Sequence, residues 1–272
     1  MLLEELVYIG FEREEAQKLA ESEYFHHRTK THQELTDLFN KISGVYGWSF
    51  NETKRAILSH PQFAGYDHER VLRQGVEVYG ADNESKVKRA ILSFPQFAGL
   101  DHERVLRQGV EVYGADNESK VKRAILIHPQ FAGYDHERVL RQGVEVYGAD
   151  NEAKVKRAIL SFPPFAGLDH ERVLRQKTRL GRMAGLSNEE AVNYLLDSPV
   201  LAGYSAKRYL AAFDIGRQLE REGFVQDDKM LGAFFSLYMK SPYVPGFKRK
   251  RISQVISDKD PPLLMAMRKR LE

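Results

Sequence analysis

The sequence predicts an all-α protein built as a solenoid of two-helix repeats. Three observations carry the prediction. A 34-residue block, RAILSHPQFAGYDHERVLRQGVEVYGADNESKVK, fills residues 55–88 and returns almost unchanged at 89–122 and 123–156. Each block holds two stretches of apolar residues at helical spacing, separated by a proline and closed by a glycine. A fourth copy starts at Arg157 and decays after Gln176. Self-similarity at this period marks an architecture in which each unit buries its apolar face only against its neighbours, so the superhelix has no single core.

The elements of one block follow from local chemistry. In residues 81–114, Asp82 or Asn83 is placed to cap the first helix, with Glu84 in the first turn where the helix dipole favours an anion. At 100° per residue, Val87, Ala90, Ile91 and Phe94 form one apolar face, and Leu92 points elsewhere, so this helix packs on two sides. Pro95 lacks the donor that would extend the helix and biases Phe94 away from helical backbone. The corner PQFAGL follows, with Gly99 free for positive φ. Asp101 then caps a second helix whose apolar positions, Val105, Leu106, Gly109, Val110, Val112 and Tyr113, cover more than half its circumference. Gly109 costs about 1 kcal/mol against Ala in a helix interior. Its return at Gly75 and Gly143 predicts close approach of a neighbouring helix. Gly114 stands where a terminating glycine is expected.

The rest of the chain reads as caps and decayed copies. Residues 1–47 form a degenerate N-terminal capping repeat with two helices, over 12–24 and 31–44. Tyr8-Ile9-Gly10 and Val45-Tyr46-Gly47 there echo the closing Val78-Tyr79-Gly80. The near-identical repeats fill 48–176, and two divergent repeats fill 177–247. In the first of these, Ser187 and Glu190 make a capping box and Pro199 takes the place of Pro163; in the second, Pro242 does so. Residues 248–272 form a basic tail with one or two helices broken by Pro261-Pro262. About seven units are expected in all.

Composition sets outer limits. The chain has 272 residues, 42% of them hydrophobic, which argues against disorder. It has no cysteine, so a disulfide framework, a thiolate zinc site and a cysteine nucleophile are excluded. The formal charge is +3, yet residues 248–272 alone carry eight Lys/Arg against three acids. No apolar run is long enough to span a membrane. The start, MLLEELVYIGFEREEA, is too acidic for a signal or transit peptide. These features predict a monomer in a reducing intracellular compartment, away from membranes.

The repeat resembles that of the mitochondrial transcription termination factors, the mTERF family. The matching residues are Ile57-Leu58, Pro61 and Phe63 and their counterparts Ile91-Leu92, Pro95, Phe97; Ile125-Leu126, Pro129, Phe131; and Ile159-Leu160, Pro163, Phe165. The best single stretch runs over 184–199, AGLSNEEAVNYLLDSP. The resemblance covers residues 45–247. It implies a curved all-α superhelix whose concave, basic side holds duplex DNA or structured RNA.

The residues themselves offer a site of matching character. Ser85, Arg89 and Ser93 are spaced i, i+4, i+8 and share one stripe of the first helix. Stacked copies align Arg55, Arg89, Arg123 and Arg157, with Ser59, Ser93, Ile127 and Ser161 one turn on. Lys86, Lys120 and Lys154 flank the stripe on one side, and Lys54, Lys88, Lys122 and Lys156 on the other. If first helices line the concave side, this is a cationic ladder suited to a phosphate backbone, where neutralisation releases counterions. The competing reading is a solvated helix face. The fifth unit puts Asn193 at the arginine position, so the ladder ends before it. Lys248, Arg249, Lys250 and Arg251 are candidates for a phosphate clamp, a nuclear signal or a solvated end. The second helix carries Arg104, Arg107, Gln108 and Glu111, an alternating, self-paired face.

Two variable positions move together: His60, Phe94, His128, Phe162 in step with Tyr66, Leu100, Tyr134, Leu168. They read either as paired packing at the corner or as a base-reading code. No catalytic constellation emerges. The Asp-His-Glu triplet at 67–69, 101–103, 135–137 and 169–171 reads as a helix cap with first-turn charge, and His26, His27 and His32 lack ligand spacing for a metal. The expectation is a non-catalytic nucleic-acid-binding protein without cofactor, with duplex DNA favoured over RNA. A protein-binding scaffold is the alternative, since other two-helix solenoids serve that role.

Overall fold

A computed structural model describes residues 2–26, 31–183 and 187–203. Among them every regular element is helical: α-helices joined by short 3₁₀ turns, with no strand. The chain is an all-α stack of two-helix repeats. It divides into two compact units, Met1–His136 and Glu137–Glu272. The unit around Pro242, the tail with Lys248, Arg249, Lys250 and Arg251, residues 184–186 of the family-like stretch, and His27 lie outside the described residues.

The first unit begins with α1 (Leu2–Tyr8), α2 (Arg13–Ala20), α3 (Glu23–His26) and α4 (His32–Tyr46). The repeats follow as α5 (Phe50–Ser59) with α6 (His68–Tyr79), α7 (Glu84–Ser93) with α8 (His102–Tyr113), and then α9 (Glu118–Ile127). First helices α5, α7 and α9 are neighbours in that order, and so are second helices α4, α6 and α8. The second unit takes up α10 (His136–Tyr147), α11 (Glu152–Ser161), α12 (His170–Met183) and α13 (Asn188–Asp197), with α11 and α12 both packed on α13.

Proline sets the corner as the sequence indicates. Phe94 is extended at φ −147°, ψ 81°, and Pro95 opens the 3₁₀ turn Pro95–Gly99. Asp101 accepts from the Arg104 amide at 3.0 Å and starts α8. The closing glycines Gly80, Gly114 and Gly148 have φ of +97°, +97° and +94°, and the echoes Gly10 and Gly47 are also positive at +109° and +69°. The N-terminal segment is therefore built from the same closing device as the repeats. The capping box at Ser187 forms too, with the Glu190 amide donating to Ser187 Oγ at 3.1 Å.

Three expectations are corrected. The helix expected over 12–24 is broken into α2 and α3, with Glu21 and Ser22 between them. The Asn83 side chain does not cap α7: its Nδ2 donates to the Tyr79 carbonyl at 2.8 Å and its Oδ1 accepts from Lys86. It ties the end of one helix to the start of the next instead. Nor does Gly99 use positive φ. A Cβ there would lie 2.7 Å from the Tyr66 hydroxyl, so the position is kept small for its neighbouring corner. The inference from Gly109 holds, since a Cβ would lie 2.7 Å from Val121 Cγ1.

The interior is a row of aromatic clusters, one per repeat junction. Phe97 is fully buried, with its ring 5.9 Å from Tyr79 of the preceding repeat and 4.6 Å from His102 at the start of α8. The same three residue types meet as Tyr46, Phe63, His68; as Tyr113, Phe131, His136; and, in the second unit, as Tyr147, Phe165, His170. Each cluster joins the last residue of one second helix to the first residue of the next. Ring pairs of this kind add about 0.5–1.5 kcal/mol to area burial.

Candidate nucleic-acid interface

The first helix turns its polar stripe outward because its buried residues are Val87, Ala90 and Ile91. Arg55, Arg89 and Arg123 are exposed on α5, α7 and α9 of the first unit, and none of them forms an ion pair among the described residues. Because α5, α7 and α9 are consecutive neighbours, the three guanidinium groups occupy equivalent places on adjoining helices.

The lysines differ from the arginines. Lys88, Lys122 and Lys156 pair with Glu84, Glu118 and Glu152 at 2.7, 2.8 and 2.7 Å, each an i, i+4 contact within one helix. Lys86 and Lys120 donate to Asn83 and Asn117 at 2.7 and 2.8 Å. Lys54 is withdrawn from the stripe. Its ammonium meets Glu15 at 2.7 Å, donates to the Gly10 carbonyl at 3.1 Å and lies 5.1 Å over the Phe11 ring. It anchors the capping segment to the first repeat. The Ser59, Ser93 and Ser161 hydroxyls donate to the carbonyls of Ala56, Ala90 and Ala158 on their own helices. Ile127 leaves an apolar side chain 62% exposed at the same position.

In the second unit the ladder is closed off. Arg157 pairs with Asp197, and Lys154 donates to Asn193 Oδ1 at 2.6 Å. Counted back from Pro199, Asn193 and Asp197 occupy the arginine and serine positions of the stripe. Thus α13 neutralises Arg157 within the second unit.

The corner pairs are hydrogen-bonded. His60 Nε2 lies 3.1 Å from the Tyr66 hydroxyl, and His128 Nε2 lies 3.5 Å from that of Tyr134. Burial holds His60 and His128 below the usual imidazole range. Residues 60 and 66 change together because they are partners in one contact. This is the packing side of the two readings.

The histidine of each Asp-His-Glu triplet plays a part that sequence reasoning missed. Asp67, Asp101 and Asp169 cap their helices and the glutamates are exposed, as expected, but His68, His102, His136 and His170 are buried. Nδ1 of each faces a tyrosine hydroxyl at 3.2, 3.5, 3.4 and 3.3 Å in turn, and Nε2 has no partner. Burial drives His68, His102 and His136 down to about 4 and raises the facing tyrosines. The signal in the sequence is the 23-residue interval from Tyr79 to His102, repeated from Tyr113 to His136 and from Tyr147 to His170 and one shorter from Tyr46 to His68.

Among the described residues no group of three or more His, Asp or Glu side chains could hold a metal ion, and no helix is long and apolar enough to cross a membrane. His32 stacks edge-on with Tyr8 at 4.3 Å. No protein-family model matches the chain, and a search of curated proteins returns no match.

Proposed function

We propose that the chain is a non-catalytic nucleic-acid-binding helical-repeat protein that grips the phosphate backbone of duplex DNA, or of structured RNA, with its first helices. One observation carries the reading. Arg55, Arg89 and Arg123 stay exposed and without an ion pair on three adjoining helices, while neighbouring lysines are held by glutamate or asparagine. A guanidinium fork suits phosphate oxygens, and its weak hydration makes its transfer to phosphate cheaper than that of an ammonium. The resemblance of the repeat to the mTERF family supports the same reading. No aromatic residue among the near-identical copies stands on the polar stripe, which favours backbone contact over base stacking.

The test is a gel shift at low salt with a duplex DNA and a hairpin RNA, followed by a salt titration. Three phosphate contacts give a slope of about −3 in log K against log salt for B-DNA. Arg55→Glu, Arg89→Glu and Arg123→Glu together should abolish binding and leave the helical circular dichroism unchanged. Absence of any shift at low salt sinks the proposal.

A further inference from the structure

The second helices carry an apolar arc wider than their neighbours cover. Val105, Gly109 and Tyr113 are buried, whereas Leu106, Val110 and Val112 remain partly exposed. A groove runs along this uncovered strip between α6 and α8, made of two adjoining hollows of about 330 and 450 Å³ that share Glu77, Val78 and Glu103. Its apolar strip is Val78 and Leu106. Its acids are Glu77, Asp101 and Glu103, together with Glu118, which is already paired with Lys122, against Arg107.

The second unit repeats the groove between α10 and α12 in about 740 Å³, with Val146 and Leu174, with Glu145, Asp169 and Glu171, and with Arg175 at the corresponding places. The N-terminal groove between α4 and α6 departs from the pattern. Asn40, Lys41 and Gly44 form its α4 wall, and Lys41 brings a positive charge.

A buried histidine borders each acid-lined groove. His102 and His170 are each 5% exposed, line the hollow, and keep a buried Nε2 without a hydrogen-bond partner. In the tautomer that donates Nδ1–H to the Tyr79 or Tyr147 hydroxyl, this Nε2 is an acceptor closed off from solvent. An apolar strip rimmed by acids matches a ligand that brings both apolar side chains and cationic donors.

We propose that the grooves between second helices are docking sites for a basic amphipathic peptide segment of a partner protein. Its Leu- or Val-type side chains lie on Val78 and Leu106, and its Lys or Arg groups face Glu77, Asp101 and Glu103. The excess of acid excludes a phosphate backbone and disfavours an acidic segment. The site is separate from the arginine stripe, since Arg55, Arg89 and Arg123 do not line it. The inference therefore stands whether or not the first helices bind nucleic acid.

The experiment uses the full chain and a fluorescent 14-residue peptide of leucine and lysine arranged with one apolar and one basic helical face. Two analogues, with lysine replaced by glutamate and with leucine replaced by serine, are the controls. The parent peptide should bind by anisotropy and neither analogue should. The variant Glu77→Arg/Glu103→Arg/Glu145→Arg/Glu171→Arg should lose at least about tenfold in affinity. The variant Arg55→Glu/Arg89→Glu/Arg123→Glu should bind as the parent chain does. Circular dichroism shows that each variant keeps its helices. The proposal is overturned if the parent peptide fails to bind, if the quadruple variant binds within twofold of the parent chain, or if the glutamate analogue binds equally. It also falls if sedimentation shows a self-associated parent chain and a monomeric quadruple variant, because a second copy then fills the groove.

Discussion

The Tyr79 hydroxyl lies 3.5 Å from Nδ1 of His102, and the two buried rings meet edge to face at 5.5 Å. One residue ends α6 and the other begins α8, so the contact clamps successive repeats at their interior edge. It requires a neutral imidazole, because burial penalises the charged form.

Stability should therefore depend on pH with a definite sign. His68, His102 and His136 titrate near 4 in the folded chain against an ordinary 6.5. Between these values the unfolded chain binds more protons, so acid favours unfolding. The stabilising contribution is complete above pH about 6.5 and is lost progressively as pH falls to about 4. Its size is on the order of 3 kcal/mol per histidine. Urea melts at pH 7 and pH 4.5 measure it. His102→Phe keeps an aromatic ring in the cluster and should flatten the slope by about one histidine's share. An unchanged slope would mean that the buried imidazoles are not the cause.

Gly109 has a helical reason to be alanine and a packing reason not to be. Alanine gains about 1 kcal/mol of helix propensity, yet its Cβ would stand 2.7 Å from Val121 Cγ1. Overpacking at such a contact costs typically about 1–3 kcal/mol. Gly109→Ala should thus be net destabilising in thermal melts, and adding Val121→Ala should recover part of the loss by making room. A stabilised single variant would contradict the close approach.

The period, the corner proline and the closing glycine were legible in the sequence because each acts through local backbone chemistry. Gly80 needs positive φ, Pro95 cannot donate, and Asp101 reaches an amide three residues on. The Tyr79–His102 clamp was hidden because its halves are 23 residues apart and its histidine lies inside a triplet that reads as surface charge. On the candidate interface, the arginine positions could be read from spacing, but the unequal state of the cations could not be read from spacing alone. The pairing of Lys88 with Glu84 is the exception, since the two stand at i, i+4. The withdrawal of Lys54 to Glu15 was not, since it depends on how the capping helices fold back.

The two corner glycines Gly99 and Gly133 separate sequence identity from environment. They share the same local motif, but a Cβ on Gly99 would lie 2.7 Å from the Tyr66 hydroxyl, while nothing stands within 4 Å at Gly133. The corner preceding Gly133 carries Leu100 where the one preceding Gly99 carries Tyr66. Gly99→Ala should displace Tyr66 from His60 and cost about 1 kcal/mol, the worth of a typical hydrogen bond. Gly133→Ala should be neutral or slightly stabilising, and Tyr66→Leu should remove the penalty at Gly99. Chemical denaturation of the four variants tests the set, and equal effects at Gly99 and Gly133 would refute it.

Lys177 occupies the position that Gly75, Gly109 and Gly143 hold in the earlier copies, and it is fully buried. Burial brings its ammonium down to about 8. In the second unit a Cβ on Gly143 would meet Val155 Cγ1 at 2.7 Å, so a lysine there requires a smaller residue opposite. Counted back from Pro199, that residue is Ala191, also buried, where Val155 stands in the previous repeat. The exchange of Gly and Val for Lys and Ala moves volume across the contact between α12 and α13. Lys177→Gly alone leaves a void, and Ala191→Val alone overpacks, so each should destabilise by about 1–3 kcal/mol. The double variant restores the pair used by the near-identical repeats and should lie close to the parent chain. A double-mutant cycle read by urea denaturation then gives a coupling of at least about 1 kcal/mol. Strict additivity would show that the two residues do not share the contact.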